Sequence, residues 1–249
     1  RPDLSVEIIP VEGFPEARPG DDLASLVCES TSGSLRDGDV LVVTHKVVSK
    51  AEGRLLELAG VDPSPFAKSF AAEHGKDPRH IEVVLRESRR IVKMDRGILI
   101  TQTRHGFVCA NAGVDASNVP GEDTVCLLPL DPDASAARLH EALRERTGVY
   151  APVIISDSFG RPWREGITNV AIGVAGMNPL ADYRGQSDPH GYPLEASVLA
   201  VADELASAAE LVVGKTSGTP LTIIRNYPYE RGPETGQSLV MDDSKDLFR

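Results

Sequence analysis

Apolar residues fall in short runs along the chain, separated by turns rich in Gly, Pro and Asp. Apolar runs of about four to eight residues are typical of strands that are buried on both faces of a sheet. The pattern therefore predicts buried strands at Val40–Thr44, at residues 150–156 and at Leu221–Arg225. Helical spacing of apolar residues predicts longer helices over Pro132–Thr147 and over residues 194–211.

The stretch after the first buried strand has a different pattern. Residues 63–89 are helical in character, with a break near 75–78. Short strands separated by tight turns follow at residues 90–94, 98–103 and 106–109. Strands this close together favour an antiparallel meander. Because helices and strands do not alternate as regular βαβ units, we predict an α+β fold with irregular mixed sheets, the meander and flanking helices.

Length and composition narrow the class of protein. A chain of 249 residues with 41% hydrophobic residues can bury a sizeable core. We expect one domain over residues 1–249, which can be divided into two interleaved subdomains, the smaller spanning roughly 55–130. No apolar run approaches the roughly 18 residues that span a bilayer, and residues 1–3 lack the layout of a signal peptide. These features predict a cytoplasmic protein without a membrane partner.

Charge and cysteine content exclude further classes. With 26 basic and 37 acidic residues, the net charge is −11 when the histidines are neutral. Such a charge excludes a general nucleic-acid binder, although locally concentrated basic residues can still bind a small anion. Cys28, Cys109 and Cys126 lie far apart and form no CxxC pair, so they predict neither a disulfide framework nor a structural zinc site. We expect them in the core of a protein of the reducing cytosol.

The densest set of reactive groups lies in residues 154–166. An apolar strand ends there in Asp157 and Ser158, whose oxygens suit a hard divalent cation. Arg161 and Arg164 follow, and their planar guanidinium groups could clamp phosphate oxygens. The alternative is a turn that Asp157 caps, with both arginines in surface ion pairs.

Two other loops offer ligand groups. Asp115 and Asn118 are metal or ribose ligands by residue type, although such residues also favour plain turns. If Asp115 and Asp157 converge, they predict a magnesium or manganese site with room for substrate phosphates. Residues 44–54 place Lys50 after a buried strand, where a lysine can contact phosphate; the alternative is a solvated amphipathic turn.

The residues Gly214, Lys215 and Thr216 look like the end of a phosphate-binding loop, but the motif is incomplete. Ala209 stands where the motif needs glycine, and a predicted helix precedes the turn where the motif requires a strand. The turn could still present backbone N–H groups to an anion. A plain helix-to-strand connection is the alternative.

Six blocks of the chain resemble the coenzyme F(420):L-glutamate ligases of the CofE type. The blocks are VTHKVVSKAEGR at 43–54, GVDASN at 113–118, SDSFGRPWR at 156–164, DYRG at 182–185, AAELVVGK at 208–215 and KDLFR at 245–249. They occur in order and at matching distances. The resemblance implies an irregular α+β, CofE-like fold and an intimate homodimer, without the nitroreductase-like C-terminal domain that some relatives carry.

The same resemblance implies a GTP-dependent ligase that joins L-glutamate by an amide bond to the carboxylate of the deazaflavin coenzyme precursor. The implied ions are magnesium or manganese, with a monovalent cation such as potassium. By position, Asp115, Asp157 and Ser158 match metal-binding residues. The positions that match GTP contacts are Phe14, Pro15, Glu16, Ala17, His45, Lys50, Asn118, Gly214, Lys215 and Thr216.

Two residues depart from the family pattern. His45 stands where a serine is common. A charged lysine cannot ligate a metal ion, yet in some relatives the position of Lys215 helps to bind a second ion.

The implied reaction transfers the GTP γ-phosphoryl group to the precursor's carboxylate, after which the glutamate amine displaces phosphate from the acyl phosphate. We expect Asp157, Arg161 and Arg164 to act at the transferred group, and Lys50 to neutralise its charge. Two alternatives stay open at this point. One is a metal-dependent ligase or kinase of another carboxylate, and the other is a non-catalytic GTP-binding subunit.

Overall fold

The computed structural model of the chain describes residues 5–117, 119, 121 and 123–246. Within these residues the strands are β1 (Glu7–Pro10), β2 (Val40–Thr44), β3 (Leu55–Glu57), β4 (Ser88–Asp95), β5 (Ile98–Thr103), β6 (Val108–Ala110), β7 (Thr124–Cys126), β8 (Val153–Arg161), β9 (Arg164–Ala175), β10 (Ala181–Asp182), β11 (Val198–Leu199) and β12 (Leu221–Arg225). The α-helices of the same residues are α1 (Leu23–Thr31), α2 (His45–Ala51), α3 (Pro65–His74), α4 (Pro78–Arg86), α5 (Pro132–Thr147) and α6 (Val201–Val213). None of these helices has both the length and the apolar character needed to cross a membrane.

A five-stranded sheet joins both ends of the described chain, in the order β1-β12-β2-β8-β9. In this sheet β2 and β8 run parallel, and the other neighbouring strands are antiparallel. The strands predicted at Val40–Thr44 and Leu221–Arg225 are confirmed, and so is the mixed α+β class. The parallel pair matters for the site, because parallel strands end at the same edge of a sheet.

Helices cover both faces of this sheet and explain the uninterrupted apolar run of β2. Leu41 and Val43 belong to a core shared with α1 and α5, whereas Val40 and Val42 belong to a second core shared with α6. Successive side chains of a strand point to opposite faces, so each face takes alternate residues. None of the four is more than 3% exposed.

Residues between 58 and 127 form a third core of their own, with side chains from α3, α4, β5 and β7. Next to this core, β4, β5 and β6 pair in sequence as an antiparallel sheet, which confirms the predicted meander. β3 pairs with β7 in a separate two-stranded ribbon. The division into subdomains near residues 55–130 stays a prediction, although this segment has its own apolar core.

The structure corrects three local predictions. α6 begins at Val201 rather than at residue 194, because Val198–Leu199 pairs with Ala181–Asp182 as a short ribbon. The segment after Ser158, predicted as a loop, continues β8 and turns tightly into β9. His45–Ala51, for which the pattern offered only a turn, is the helix α2.

The cysteines lie as predicted. Cys109 and Cys126 are buried, and Cys28 packs partly buried against the core of α1 and α5. Burial raises the pKa of the Cys109 thiol to about 12 and that of Cys126 to about 11. Neither is therefore a thiolate nucleophile at neutral pH. His140 is also buried, and its Nδ1 lies 2.7 Å from the carbonyl oxygen of Ala151.

Candidate active site

A cavity of about 710 Å³ opens where β2 ends and its parallel pairing with β8 stops. Its walls come from three other segments, namely residues 14–19, the first turn of α2, and the turn at residues 213–220. Thr44 of β2 pairs in register with Ser156 of β8. His45 follows Thr44 and Asp157 follows Ser156, so these two residues lie side by side in the cavity.

His45 and Asp157 form the floor of this cavity. The Nε2 atom of His45 lies 3.3 Å from Oδ1 of Asp157, although the two are not aligned as a hydrogen bond. The same Oδ1 accepts the backbone N–H of Ser158 at 2.7 Å. His45 is only 2% exposed, and its Nδ1 lies 3.4 Å from the hydroxyl of Ser49. The carboxylate of Asp157 is thus held in place by the backbone N–H of the next residue of β8.

Asp115 is held beside the same helix end by Lys46. The ammonium of Lys46 lies 2.6 Å from Oδ2 of Asp115, and the backbone N–H of Ser117 donates to Oδ1 at 2.7 Å. Burial acts to raise the pKa of Asp115, but the hydrogen bonds from Lys46 and Ser117 outweigh it and the pKa is lowered. Lys46 lines the cavity whereas Asp115 lies behind it. The two predicted metal-binding aspartates therefore contact consecutive residues, His45 and Lys46.

The predicted nucleotide-contacting residues near the N-terminus lie on the opposite wall. Phe14, Pro15 and Ala17 give this wall an apolar surface, and the carboxylate of Glu16 contacts the ammonium of Lys50. The Lys50 side chain is 9% exposed and that of Glu16 is 69% exposed. A buried cation thus faces the cavity, paired with a carboxylate that extends into solvent. Asn118, also predicted to contact the nucleotide, lies outside the described residues.

Ser158, Asn169, Glu210 and Lys215 form a closed ring of hydrogen bonds on the third wall. The Ser158 hydroxyl donates to Oδ1 of Asn169 at 2.6 Å, and the Asn169 amide donates to Oε2 of Glu210 at 2.8 Å. The Lys215 ammonium closes the ring, 2.9 Å from Oε1 of Glu210 and 2.6 Å from Oγ of Ser158. We call this set the lysine ring. Each donor in it faces an acceptor, so the orientation of the Asn169 amide is fixed.

Arg161 and Arg164 are placed apart from these groups. They lie at the exposed tip of the hairpin between β8 and β9, where Arg161 donates to the carbonyl oxygen of Glu165 at 2.9 Å. Neither arginine is among the residues that line the cavity. Within one copy of the chain, the structure does not bring them together with Asp157 and Lys50. Gly214, Lys215 and Thr216, by contrast, line the cavity.

The donor groups near Asp157 fit a hard divalent cation by their chemistry. Among the described residues, no three His, Cys, Asp or Glu side chains come together as a metal-binding group. An ion at this place would therefore rest on one or two carboxylates, with water and phosphate oxygens completing its shell, as is usual for Mg²⁺. The hydroxyl of Ser156 is buried in the cavity floor with no hydrogen-bond partner in the described structure. It is a further oxygen available to such a shell.

A family model for F420-0:gamma-glutamyl ligases matches residues 13–226, which include every wall of this cavity. The chain belongs to the F420-0:gamma-glutamyl ligase family. It is 49% identical to a coenzyme F420:L-glutamate ligase from Methanopyrus kandleri over 100% of this chain and 98% of the relative. It is 44% identical to the enzyme of the same name from Methanothermobacter thermautotrophicus over 99% of this chain and 100% of the relative.

Two residues of the lysine ring, Asn169 and Glu210, were not predicted as site residues from the sequence. Asn169 is 5% exposed in the middle of the strand β9, and Glu210 follows a run of alanines in α6. A polar residue that adjoins an apolar run is a weak signal for a functional group, because a buried polar group requires a partner. That signal does not identify the partner, which lies 41 residues away along the chain.

Proposed function

We propose that this chain ligates L-glutamate to the carboxylate of the coenzyme F420 precursor, with GTP as the source of the phosphoryl group. The proposal extends the names of the full-length relatives to this chain. The observation that carries it is the meeting of His45, Asp157 and Lys50 in one cavity, where the parallel pairing of β2 with β8 stops. The overall charge is −11, so the three lysines that line this cavity, Lys46, Lys50 and Lys215, make it a distinct place for an anionic ligand.

The proposed reaction has two steps that balance. A carboxylate oxygen of the precursor attacks the γ-phosphorus of GTP, the bond to the GDP oxygen breaks, and an acyl phosphate forms. The amine of glutamate then attacks the acyl carbon, phosphate leaves with the bonding electrons, and the amine loses a proton. Transfer of this kind depends mainly on positioning and on neutralised charge, so a protein nucleophile is not needed.

The residues of the chain have separate tasks in this proposal. Asp157 would hold a magnesium or manganese ion, which when bound supplies positive charge to the phosphate oxygens. The family resemblance adds Asp115 as a ligand, which would have to exchange its contact with Lys46 for the ion. Lys50 binds the transferred group from the opposite wall, where its ammonium is now paired with Glu16. Backbone N–H groups of the turn at 214–216 are available to the other phosphates. From the family resemblance, we further propose a cytoplasmic homodimer.

Mass spectrometry tests the proposal directly. Purified protein is incubated with the precursor, Mn²⁺, glutamate and either GTP or ATP, and we expect stepwise glutamyl increments with GTP. Asp157→Asn removes the charge at nearly constant shape and should lower turnover by about 10²-fold or more, with an unchanged thermal melt. Glutamylation by Asp157→Asn at the wild-type rate would remove Asp157 from the site.

The same assay separates the alternatives. Phosphate release that requires both precursor and glutamate supports the ligase. Products formed only with simpler carboxylic acids would indicate another substrate. Nucleotide binding without phosphate release under any condition would indicate a non-catalytic subunit.

A further inference from the structure

The lysine ring places a fixed positive charge among oxygen donors. The ammonium of Lys215 contacts one carboxylate oxygen, of Glu210, and one hydroxyl oxygen, of Ser158. Oxygen donors of these two kinds are also what a hard metal ion takes as ligands. The ammonium of Lys215 therefore lies where the oxygen donors of the cavity wall would suit a metal ion.

The ring is built to hold this ammonium in place. Asn169 is 5% exposed and fixes both neighbours of the lysine, through Oδ1 to Ser158 and through its amide to Glu210. The backbone carbonyl of Asn169 in turn accepts the hydroxyl of Ser207 of α6 at 2.7 Å. The Lys215 side chain is 54% exposed, yet its charged end is held by two partners that cannot turn away without breaking the ring.

A divalent ion does not fit beside Ser158 while this ammonium is present. Two cations that share ligands about 3 Å away repel strongly, at about 4 kcal/mol or more per unit charge at an effective dielectric constant near 20. The family resemblance assigns Ser158 to metal binding and gives the position of Lys215 a part in holding a second ion in some relatives. In this chain the charged ammonium of Lys215 is incompatible with a second metal ion at that place.

We propose that the Lys215 ammonium is a tethered cation that replaces the second free metal ion, so that this chain binds one divalent ion where a relative without the lysine binds two. The inference rests on the proposed function for the first ion, at Asp157. Lys215 then supplies positive charge to the cavity wall whatever the concentration of metal ions in solution.

Counting bound Mn²⁺ tests this inference without turnover. The protein is saturated with a non-hydrolysable GTP analogue and titrated with Mn²⁺, and free Mn²⁺ is measured by electron paramagnetic resonance. We expect one ion per chain for the wild type and two for Lys215→Gln, whose amide oxygen joins Ser158 and Glu210 as a ligand. Lys68→Gln is the matched control, since Lys68 is an exposed lysine paired at 3.6 Å with Asp62, and it should bind one.

The outcomes are distinct. A wild-type count other than one, or an unchanged count in Lys215→Gln, overturns the inference. If Lys215→Gln does not fold, Lys215→Met removes the charge with an apolar side chain of similar length and should also bind a second ion, more weakly. Counts of one and two without glutamylation would reject the proposed function and keep the tethered cation. Glutamylation together with equal Mn²⁺ counts for the wild type and Lys215→Gln would support the proposed function and reject the tethered cation.

Discussion

Exchanging one atom of the lysine ring should make the stability of the protein depend strongly on pH. Asn169→Asp keeps the shape of the side chain but replaces the amide that donates to Glu210, at 2.8 Å, with a carboxylate oxygen. Two like charges about 4 Å apart repel by about 4 kcal/mol at an effective dielectric constant near 20. The nearby Lys215 ammonium offsets part of this repulsion, so we expect a cost of about 2–4 kcal/mol when both carboxylates are ionised.

The sign of the pH dependence follows from proton binding. In the folded variant the pair retains a proton, so the pKa of one carboxyl group is raised above its unfolded value of about 4. Below about pH 4 both states hold the proton and the repulsion is absent. As the pH rises toward the raised pKa, the unfolded state releases its proton first and the variant loses stability, by up to about 1.4 kcal/mol per pH unit.

Urea unfolding at pH 5 and pH 8 measures this difference. Relative to the wild type, Asn169→Asp should lose about 1 kcal/mol at pH 5 and about 2–4 kcal/mol at pH 8. The double variant Asn169→Asp with Glu210→Gln places an amide and a carboxylate face to face again and should recover most of the loss at pH 8. An equal loss of stability at both pH values, or no recovery of stability in the double variant, would show that Asn169 does not donate to Glu210 as described.

Two further substitutions test packing and nucleotide binding. A Cβ added at Gly173 would lie 2.3 Å from the carbonyl oxygen of Pro132, so Gly173→Ala should cost about 1–3 kcal/mol of overpacking and lower Tm by about 3–10 °C. Gly160→Ala, with nothing within 4 Å of its added Cβ, should leave Tm almost unchanged in the same calorimetric scan. Glu16→Gln removes the carboxylate that competes with phosphate for Lys50, and should tighten a GTP analogue about two- to five-fold, since exposed ion pairs contribute about 0.2–1 kcal/mol. Weaker binding by calorimetric titration would instead show that Glu16 contacts the nucleotide itself.

The fold could be predicted from the sequence where burial of an element requires a run of apolar residues. β2 lies between two helical layers, so all of its first four residues had to be apolar, and the strand was evident from them. α2 has no such run. It has seven residues and includes the β-branched Val47 and Val48, so its helical form depends on tertiary packing rather than on propensity.

The candidate site was predictable in part for a similar reason. Asp157 lies just past the apolar residues 153–155, where β8 leaves its parallel partner β2, and such sheet edges commonly carry functional groups. Its neighbour His45 depends on the register of Thr44 with Ser156, a pairing between segments 112 residues apart that the local pattern does not contain. Arg161 and Arg164 were grouped with Asp157 because they are close in sequence, but an extended strand rises about 3.3 Å per residue and takes them to the hairpin tip.

Two of the lysines that line the cavity, Lys50 and Lys215, are held in different ways, and the difference bears on how the proposed nucleotide would bind. Lys50 is 9% exposed, but its partner Glu16 is 69% exposed and reaches it from a solvated segment, so an incoming phosphate can take the place of that carboxylate at little cost. Lys215 has the opposite arrangement, because Glu210 is only 23% exposed and is fixed by the amide of Asn169. Its charged end is held by two partners, Glu210 and Ser158. Under the proposed function, the exchangeable Lys50 would provide affinity for phosphate, whereas Lys215 would set the electric field around the transferred group.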